Sequence, residues 1–380
     1  LEGVLRNNDV VTSLGGGRFG IALAKTPRMT IETMTQLAAR LQDAIAAPIR
    51  LGGMRVLVTA CIGFALPSRV SENTAEGMIA AAESALIEAQ HAGPGSIRAY
   101  SQGMRRRAGA PAKLTREVVQ ALESDQIRPW FQPQISTETG EISGFEALAR
   151  WSHPEKGLIA PGAFLPAIES AGKHGRLGEV MLFHALSALR EWERSGFVIP
   201  SVSVNVSPEE LRDPGLVDRI RWELDRFDLS PERLTIEILE SVVAQSDDDY
   251  TTKNISALSH LGCKIDLDDF GTGHASIANI RRFDVHRLKI DRSFITHVDT
   301  DREQQNLVSA ILSMAERLNL ETLGEGVESH GEHAMLAQLG CDHVQGYLIA
   351  RPMPFAEATR WISARREKQV LLPPIINRHG

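Results

Sequence analysis

The chain has 380 residues, a formal net charge of -7 at pH 7, and 43% hydrophobic and 23% charged residues. At about 150 residues per domain, this length suits two domains, and the composition is that of an ordinary globular protein. A chain with this acidic balance is not expected to bind DNA or RNA, whose backbones require clustered Lys and Arg. Any phosphate-bearing ligand must therefore meet local positive charge.

The spacing of the cysteines and the short lengths of the apolar runs indicate a cytoplasmic location. Cys61, Cys263 and Cys341 are widely spaced, odd in number and lack the close pairing of metal or redox motifs. No apolar run reaches the roughly 18 to 20 residues of a membrane helix, and no signal peptide is visible. We therefore expect a cytoplasmic chain without membrane contact of its own. Its abrupt start leaves open a longer protein with an upstream sensor or a membrane anchor.

Residues 1–102 form the first predicted unit. This unit contains Leu14-Gly-Gly-Gly-Arg-Phe-Gly, then a predicted strand within residues 56–67 and an amphipathic helix. The order resembles the C-terminal half of a GGDEF diguanylate cyclase domain, a partial α/β module. In that family two acidic hairpin residues serve metal binding and catalysis, but Gly17 and Arg18 stand at those positions. The resemblance implies a degenerate regulatory module that does not synthesise cyclic di-GMP.

A short pattern ahead of the glycines admits two interpretations. Arg6-Asn-Asn-Asp9 matches the Arg-x-x-Asp pattern of the GGDEF family's inhibitory site for product. It is either a remnant of that site or an ordinary Arg and Asp that support a turn. The guanine-recognition half of such a domain is not in the sequence, which weakens a role in GTP sensing.

A linker is predicted at residues 103–113, which combine small residues, the basic triplet Arg105 to Arg107 and a proline. From 114 to 370, short β-rich runs alternate with longer amphipathic segments such as 303–318, which is typical of βα units. Eight such runs in about 250 residues predict a (β/α)8 TIM-like barrel. The runs are 129–135, 143–149, 201–206, 233–239, 263–268, 286–290, 320–325 and 343–348. Residues 371–380 form a predicted C-terminal tail.

Alternation within the runs predicts which side chains line the barrel. Successive side chains of a strand point to opposite faces, so the apolar set suits the helical layer. The polar set then points toward the barrel axis, near the strand ends where barrel enzymes carry their chemistry. This set comprises Glu146, Asn205, Glu237, Asp268, Asp269, Lys289, Glu325 and Gln345.

The number of carboxylates in this set predicts bound cations. Neighbouring carboxylates raise each other's pKa and resist burial unless a cation neutralises them. Oxygen ligands without His or Cys favour Mg2+ or Mn2+ over zinc or copper. Adjacent Asp268 and Asp269 can serve two ions, and metals about 3.5–4 Å apart suit phosphodiester cleavage. Lys289 would orient a water or hold a phosphate oxygen. Single strand-end carboxylates are often caps, but that explanation does not suit eight polar residues together.

Seven motifs in order resemble the EAL phosphodiesterase family over residues 114–362. They are Phe131-Gln-Pro, Glu146-Ala-Leu-Ala-Arg-Trp, Asn205-Val-Ser, Asp268-Asp-Phe-Gly-Thr-Gly, Leu288-Lys-Ile-Asp, Glu325-Gly-Val-Glu and Gln345-Gly-Tyr. The resemblance implies a (β/α)8-like barrel with one antiparallel strand. It also implies hydrolysis of cyclic di-GMP to linear pGpG with two Mg2+ or Mn2+ ions.

By position in these motifs, the resemblance implies a role for each residue. One metal would be held by Glu146, Asn205, Glu237 and Asp268, and the second by Asp268 and Asp269. Glu325 would act as a ligand through water or as a proton acceptor. Lys289 would contact the nucleophilic water, and Gln345 would support the site beside the substrate.

The resemblance adds three outer residues. Arg150 would contact a substrate phosphate, with a surface salt bridge as the alternative. Glu240 would belong to the catalytic set because it steadies the loop after Asp269, and Glu328 would lie just outside the metal ligands.

Two departures lie beside the predicted metal site. Leu239 replaces a threonine that is usual in the family, and His274 begins a loop where Tyr-Ser-Ser is common. In the family this loop couples metal binding to dimerisation, so a homodimer through the barrel is expected. The altered loop leaves open a silent receptor for cyclic di-GMP as the main alternative, and a barrel acting on another phosphodiester as a third hypothesis.

Overall fold

The computed structural model describes residues 2–15, 17–24, 29–46, 49–51, 54–56, 58–70, 74–245, 249–272, 280 and 283–371. The chain divides into two compact units, Leu1–Arg116 and Glu117–Gly380. Among the residues within these ranges, no helix combines the length and apolar character needed to span a bilayer.

The first unit contains an antiparallel hairpin and two further strand pairs. Its elements are β1 (Val10–Gly15), β2 (Arg18–Ala22), α1 (Ile31–Ile45), β3 (Ile49–Leu51), β4 (Met54–Val56), β5 (Ile62–Phe64), α2 (Ala75–His91) and β6 (Ile97–Ala99). The predicted hairpin is present, and Gly17 turns it with a φ of 73° that favours glycine. Gly63 allows β5 to pack on α2, because an added Cβ would lie 2.0 Å from Leu86 N.

The predicted linker is helical. Helix α3 (Gln102–Glu123) runs through residues 103–113, and the division between the two units falls inside it. Met, Arg, Ala and Lys are good helix formers and make up most of residues 103–113, so this segment can continue a helix where small residues and a basic triplet had indicated a linker. The predicted tail falls almost wholly outside the described residues.

The second unit is a closed barrel of eight strands. Its strands are β7 (Ile127–Ser136), β8 (Ile142–His153), β9 (Gly157–Ile159, outside the closed ring), β10 (Val202–Asn205), β11 (Leu234–Leu239), β12 (Lys264–Phe270), β13 (Arg287–Ile290), β14 (Glu321–Gly324) and β15 (His343–Val344). The ring runs from β8 through β10 to β15 and closes through β7. Strand β7 is antiparallel to both β8 and β15, and the other ring pairs are parallel. The predicted fold class, with one reversed strand, is confirmed.

Helices follow the strands as the alternating pattern predicted. They are α4 (Pro161–Ser170), α5 (His174–Arg194), α6 (Pro208–Leu211), α7 (Leu216–Phe227), α8 (Glu240–Gln245), α9 (Asp249–Leu261), α10 (Arg292–Ile295), α11 (Arg302–Arg317), α12 (His330–Leu339) and α13 (Phe355–Leu371). Thus α11 coincides with the segment predicted at 303–318. In contrast, β15 ends four residues before its predicted end, because the chain bends at Gly346 and turns over residues 347–349.

The main core lies between the strands and the helical layer. Val202, Ile236 and Leu288 are fully buried in one cluster with residues of α5, as the alternation predicted. Trp192 of α5 is also fully buried, and its ring centre lies 4.9 Å from that of Phe145 on β8. Burial of apolar faces on the outside of the ring leaves the opposite faces of the same strands to point inward.

Candidate metal centre and active site

One buried ammonium lies among the predicted carboxylates. Lys289 on β13 is 0% exposed. Its Nζ lies 2.9 Å from Glu237 Oε2 and 3.0 Å from Asp268 Oδ1. It also lies 2.8 Å from Glu325 Oε1 and 3.7 Å from Glu146 Oε2. The barrel therefore brings together side chains from β8, β11, β12 and β13 with one that follows β14.

Two amides orient the carboxylates. Asn205 pairs with Glu237 in the β10–β11 register, and its Nδ2 donates to Glu237 Oε2 at 3.2 Å and to Glu146 Oε1 at 3.1 Å. Gln345 donates from Nε2 to Glu146 Oε2. The Glu146 carboxylate is therefore held on both oxygens. Glu146 and Gln345 are each 4% exposed, whereas Asn205 is solvent-exposed at the rim of the barrel.

Burial and crowding separate the pKa values of these groups. Burial, and then the nearby charge of Glu146, hold the pKa of Glu237 well above its ordinary value. Burial also raises the pKa of Glu325 to about 8, even though Lys289 opposes the shift. For Glu146, burial is outweighed by Lys289 and the amide donors, so its pKa is lowered. For Lys289, the carboxylates outweigh burial and raise its pKa, so the ammonium stays charged.

A smaller group at the mouth of the barrel has the geometry of a metal site. Asp268, Asp269 and Glu325 each offer a carboxylate oxygen within 4.8 Å of the others. Asp269 has a φ of 55°, a left-handed backbone that is uncommon outside glycine. Burial and the charge of Asp268 raise the pKa of Asp269. This turn therefore places two consecutive carboxylates in one group, as a cation site requires.

Three observations fit this donor set to divalent metal. Five carboxylates (-5) and one ammonium (+1) carry a formal charge of -4 when all are ionised. Among the described residues, Glu237 Oε1 is a buried oxygen without a hydrogen-bond partner. The donors are oxygens, which hard cations prefer. A cation would neutralise the excess charge and could bind the unpaired oxygen.

The loop after β12 is tied down by Glu240. This residue is 4% exposed, and its Oε2 accepts a hydrogen bond from Gly271 N at 2.8 Å. The structure thus brings Glu240 to the loop that follows Asp269, where the prediction placed it. Leu239 is 38% exposed at the end of β11. The second predicted departure, His274, lies outside the described residues.

Arg150 lies on β8 four residues after Glu146, on the same face of the strand. Its Nη1 donates to the carbonyl of Ala149 at 2.8 Å. Burial lowers its pKa, and Tyr347 and Glu146 act in the opposite direction. Arg351 covers the Tyr347 ring at 4.1 Å from its centre. Arg150 therefore lies near both Glu146 and a half-exposed aromatic ring that a second arginine covers.

Three predicted residues are engaged elsewhere. Glu328 is exposed, and its carboxylate pairs with Arg292 at 3.0 Å. In the first unit, Asp9 accepts hydrogen bonds from Arg6 N at 2.9 Å and Ala24 N at 3.0 Å. These backbone donors lower the pKa of Asp9. The Asp9 carboxylate thus supports a local turn, which was one of the two interpretations of the Arg-x-x-Asp pattern.

Three further polar residues lie inside the barrel that the sequence analysis did not select. Gln134, Asp266 and Arg287 are 1%, 0% and 5% exposed. Each lies two positions from another inward-facing polar residue of its own strand, so the period-two pattern places it on the same face. These neighbours are Gln132, Asp268 and Lys289. Alternation alone would have identified the three further residues, but no motif contains them.

Family models match both parts of the chain. Residues 115–352 match the model described as "EAL domain", and residues 1–96 match "Diguanylate cyclase, GGDEF domain". The first match spans more than half of the chain. It contains the whole acidic cluster, which consists of Glu146, Glu237, Asp268, Asp269 and Glu325.

Curated relatives cover almost the whole chain. The chain is 35% identical over 350 residues to the "Bifunctional diguanylate cyclase/cyclic di-GMP phosphodiesterase MucR" of Pseudomonas aeruginosa, and the match covers 92% of this chain and 50% of that protein. It is 32% identical over 358 residues to the "Cyclic di-GMP phosphodiesterase PdeR" of Escherichia coli, covering 94% and 53%. The chain therefore spans about half the length of these relatives.

Solved structures share the barrel. The "PaMucR Phosphodiesterase, c-di-GMP complex" has a TM-score of 0.62 and 39% identity, covering 65% of this chain and 99% of that one. The FimX EAL domain from Pseudomonas aeruginosa, solved bound to c-di-GMP, has a TM-score of 0.58 and 26% identity, covering 63% and 96%. EAL phosphodiesterases generally depend on divalent metal. With its barrel, its acidic cluster and its family match, the chain belongs to the EAL domain family.

Proposed function

We propose that the barrel hydrolyses cyclic di-GMP to linear pGpG with the help of two Mg2+ or Mn2+ ions. The observation that carries the proposal is the convergence of five carboxylates, one amide and Lys289 at one end of the barrel. Relatives that are named cyclic di-GMP phosphodiesterases, and the c-di-GMP complex of the MucR barrel, support the choice of substrate.

The proposed metal ligands are those that the family resemblance implies, and their convergence at one end of the barrel supports the proposal. Glu146, Asn205, Glu237 and Asp268 would hold one ion, and Asp268 with Asp269 the other. Divalent ions would stabilise the charge that develops on the phosphate and lower the pKa of a bound water. Asn205 and Gln345 fix both oxygens of Glu146, which keeps that ligand in one orientation.

The remaining residues would manage the phosphate and the proton. In the hydrolysis, the water oxygen forms a bond to phosphorus, the ester P–O bond breaks, and the leaving ribose oxygen takes a proton to become a hydroxyl. Glu325 would accept the water's proton, because its carboxylate lies beside Asp268 and Asp269 in the group that would hold metal and its bound water. Lys289 would hold an oxygen of the reacting phosphate, and Arg150 a second phosphate oxygen.

We propose a regulatory role for the first unit, with no cyclase activity. Gly17 and Arg18 occupy the hairpin between β1 and β2, so this hairpin offers no carboxylate at those two positions. Cyclase chemistry requires acidic groups there in the related domain. Incubation of the protein with GTP and Mg2+ should therefore give no cyclic di-GMP.

Purified protein incubated with cyclic di-GMP and Mg2+ or Mn2+, followed by chromatography, tests the main proposal. We expect pGpG, and none with a metal chelator. Glu146→Ala should abolish turnover because it removes a metal ligand. Glu141→Ala is the matched control, since Glu141 is exposed just before the same strand. Unchanged turnover in Glu146→Ala would refute the assigned metal site.

A silent receptor is the competing function. The FimX EAL domain is a related barrel whose structure was solved with c-di-GMP bound. In addition, Leu239 stands beside the proposed metal site of this chain where the family usually has a threonine. Tight binding of cyclic di-GMP without pGpG, in the presence of either metal, would establish the receptor. We also propose a homodimer through the barrel, as the family resemblance implies. Analytical ultracentrifugation of the chain would give its mass in solution.

A further inference from the structure

A line of buried hydrogen bonds runs inside the barrel below the carboxylates. Asp266 Oδ2 accepts from Arg287 Nε at 2.8 Å, and Arg287 Nη2 donates to Gln134 Oε1 at 2.9 Å. Gln134 Nε2 then donates to Gln345 Oε1 at 2.9 Å, and Gln345 Nε2 donates to Glu146 Oε2. Each of these five residues is at most 5% exposed, so water is not expected to substitute for a missing partner.

The residues at the two ends of this line determine which atom donates and which accepts in every hydrogen bond between them. Arginine has only donors, so Gln134 must turn its carbonyl oxygen toward Arg287 and its NH2 group toward Gln345. Gln345 must then accept through its own oxygen, which leaves its NH2 group for Glu146. An ionised carboxylate only accepts, so the line ends there. Reversal of either amide would place oxygen against oxygen at a buried contact.

A side branch points the same way. Gln345 Nε2 also donates to Gln132 Oε1 at 3.1 Å, and Gln132 Nε2 donates to the Ala350 carbonyl at 3.0 Å. Both amides on β7 therefore constrain Gln345. Gln132 acts on the NH2 group, whereas Gln134 is the described donor to the oxygen.

We propose that Gln134, oriented by the Arg287–Asp266 ion pair, is a positioning residue of the metal centre that acts through Gln345 on Glu146. The inference deepens the proposed function of this site. Partners beyond the ligands of a metal orient those ligands, and their loss typically weakens metal affinity or activity by about 10–100-fold. Among the described residues, no hydrogen bond or ion pair joins Gln134, Arg287 or Asp266 to the carboxylates that surround Lys289. The charges of Asp266 and Arg287 act on the neighbouring Glu237 in opposite directions.

The test compares two substitutions in the full-length chain. Gln134→Glu keeps the size and the acceptor for Arg287, but an ionised carboxylate cannot donate to Gln345 Oε1. Gln134→Met also removes the donor, but it adds no second oxygen facing Gln345. We expect Gln134→Glu to weaken Mn2+ binding by about 10–100-fold and Gln134→Met by less. If Gln134 only filled space, Gln134→Met should instead weaken Mn2+ binding more than Gln134→Glu does.

The negative charge that Gln134→Glu introduces makes the comparison of Mn2+ affinities informative, because charge alone predicts a change in the opposite direction. An added negative charge near a cation site should by itself tighten Mn2+ binding. Weaker binding would therefore arise from the reversed hydrogen bond. Mn2+ affinity is measured by titration calorimetry of chelator-treated protein. In turnover assays kcat should fall while KM stays within about twofold, because Gln134 is not placed against substrate.

A double substitution tests the ion pair. Arg287→Met alone would leave Asp266 buried without its cation, so the informative variant is Arg287→Met with Asp266→Leu. Replacing both members of a buried ion pair by apolar residues is often neutral for stability. We expect an unchanged melting temperature and Mn2+ binding at least tenfold weaker. Thr359→Val is the control, because it removes the acceptor of the buried Trp192 Nε1 in the helical layer and should leave Mn2+ affinity unchanged.

Wild-type Mn2+ affinity in Gln134→Glu, or tighter binding, would overturn the proposal, as would failure of the wild-type protein to bind Mn2+. The outcome is separable from that of the proposed function. If the wild-type protein binds Mn2+ but forms no pGpG, the phosphodiesterase reading fails. Weaker binding in the variants would in that case still support the positioning role.

Discussion

Removal of the Lys289 ammonium should separate its structural role from its chemical role. Each carboxylate between 2.8 and 3.7 Å from Nζ attracts it by about 4.5–6 kcal/mol at an effective dielectric constant of about 20. Most of this attraction offsets the cost of burying the charge. The loss of one partner from a buried ion pair typically costs about 3–5 kcal/mol, because the remaining charges are left unpaired.

We therefore expect Lys289→Met to unfold at a lower temperature than the wild-type protein in chelator. A barrel of this size loses roughly 2–4 °C per kcal/mol, so the expected decrease is about 6–20 °C. Mn2+ should restore much of the loss, because cations neutralise the same carboxylates. Turnover should not recover, since the group that holds the phosphate oxygen is absent, and a loss of about 10²–10³ is expected.

Calorimetric melting with and without Mn2+, together with the chromatographic assay, measures both effects. Lys264→Met is the matched control, because Lys264 is partly exposed at the start of β12. A melting temperature in chelator that equals that of the wild type would refute the electrostatic reasoning. Wild-type turnover in Lys289→Met would refute the catalytic assignment.

Three further substitutions probe the rest of the barrel. The Glu332 carboxylate accepts hydrogen bonds from three backbone amides, and these outweigh burial and lower its pKa. The ionised carboxylate therefore stabilises the fold above about pH 4.5, and this stabilisation is lost as the pH falls. Glu332→Gln should lower the urea midpoint at pH 7 and less at pH 4; equal effects at both pH values would contradict this. Gly346→Ala should reduce the yield of soluble protein, because its Cβ would lie 2.1 Å from the Val327 carbonyl oxygen; normal yield and melting temperature would show that the backbone relaxes. Glu240→Ala removes the acceptor of Gly271 N and should lower turnover about tenfold or more with little change in melting temperature; wild-type turnover would exclude a role for this contact.

Alternation of side chains predicted the barrel well because each ring strand faces two different environments. Leu288 packs outward and Lys289 inward, and the same alternation places Glu237 inside between Ile236 and Ile238. Polar residues near the ends of the predicted strands supplied the rest of the acidic cluster. A local pattern is sufficient here, because closure of the ring converts strand position into spatial proximity.

Other features depend on contacts that no local pattern contains. The Arg287–Asp266 ion pair joins neighbouring strands at positions 21 residues apart, and its link to Gln134 spans 153 residues. The helical character of residues 103–113 was missed because small residues and a basic triplet occur in both linkers and helices. The left-handed backbone of Asp269 is imposed by the turn after β12, and aspartate does not by itself predict it.

The reversed strand β7 has a consequence for how the barrel is completed. It meets β8 through a tight turn, so that hairpin can form as soon as both strands exist. Its other edge pairs with β15, where His343 meets Ser136 about 200 residues earlier in the chain. Until the ribosome has released that last strand, the hairpin has an unpaired edge of the kind that recruits other chains. Chains cut short before His343 should therefore aggregate, and completion of the ring is the step at which chaperones would be most useful.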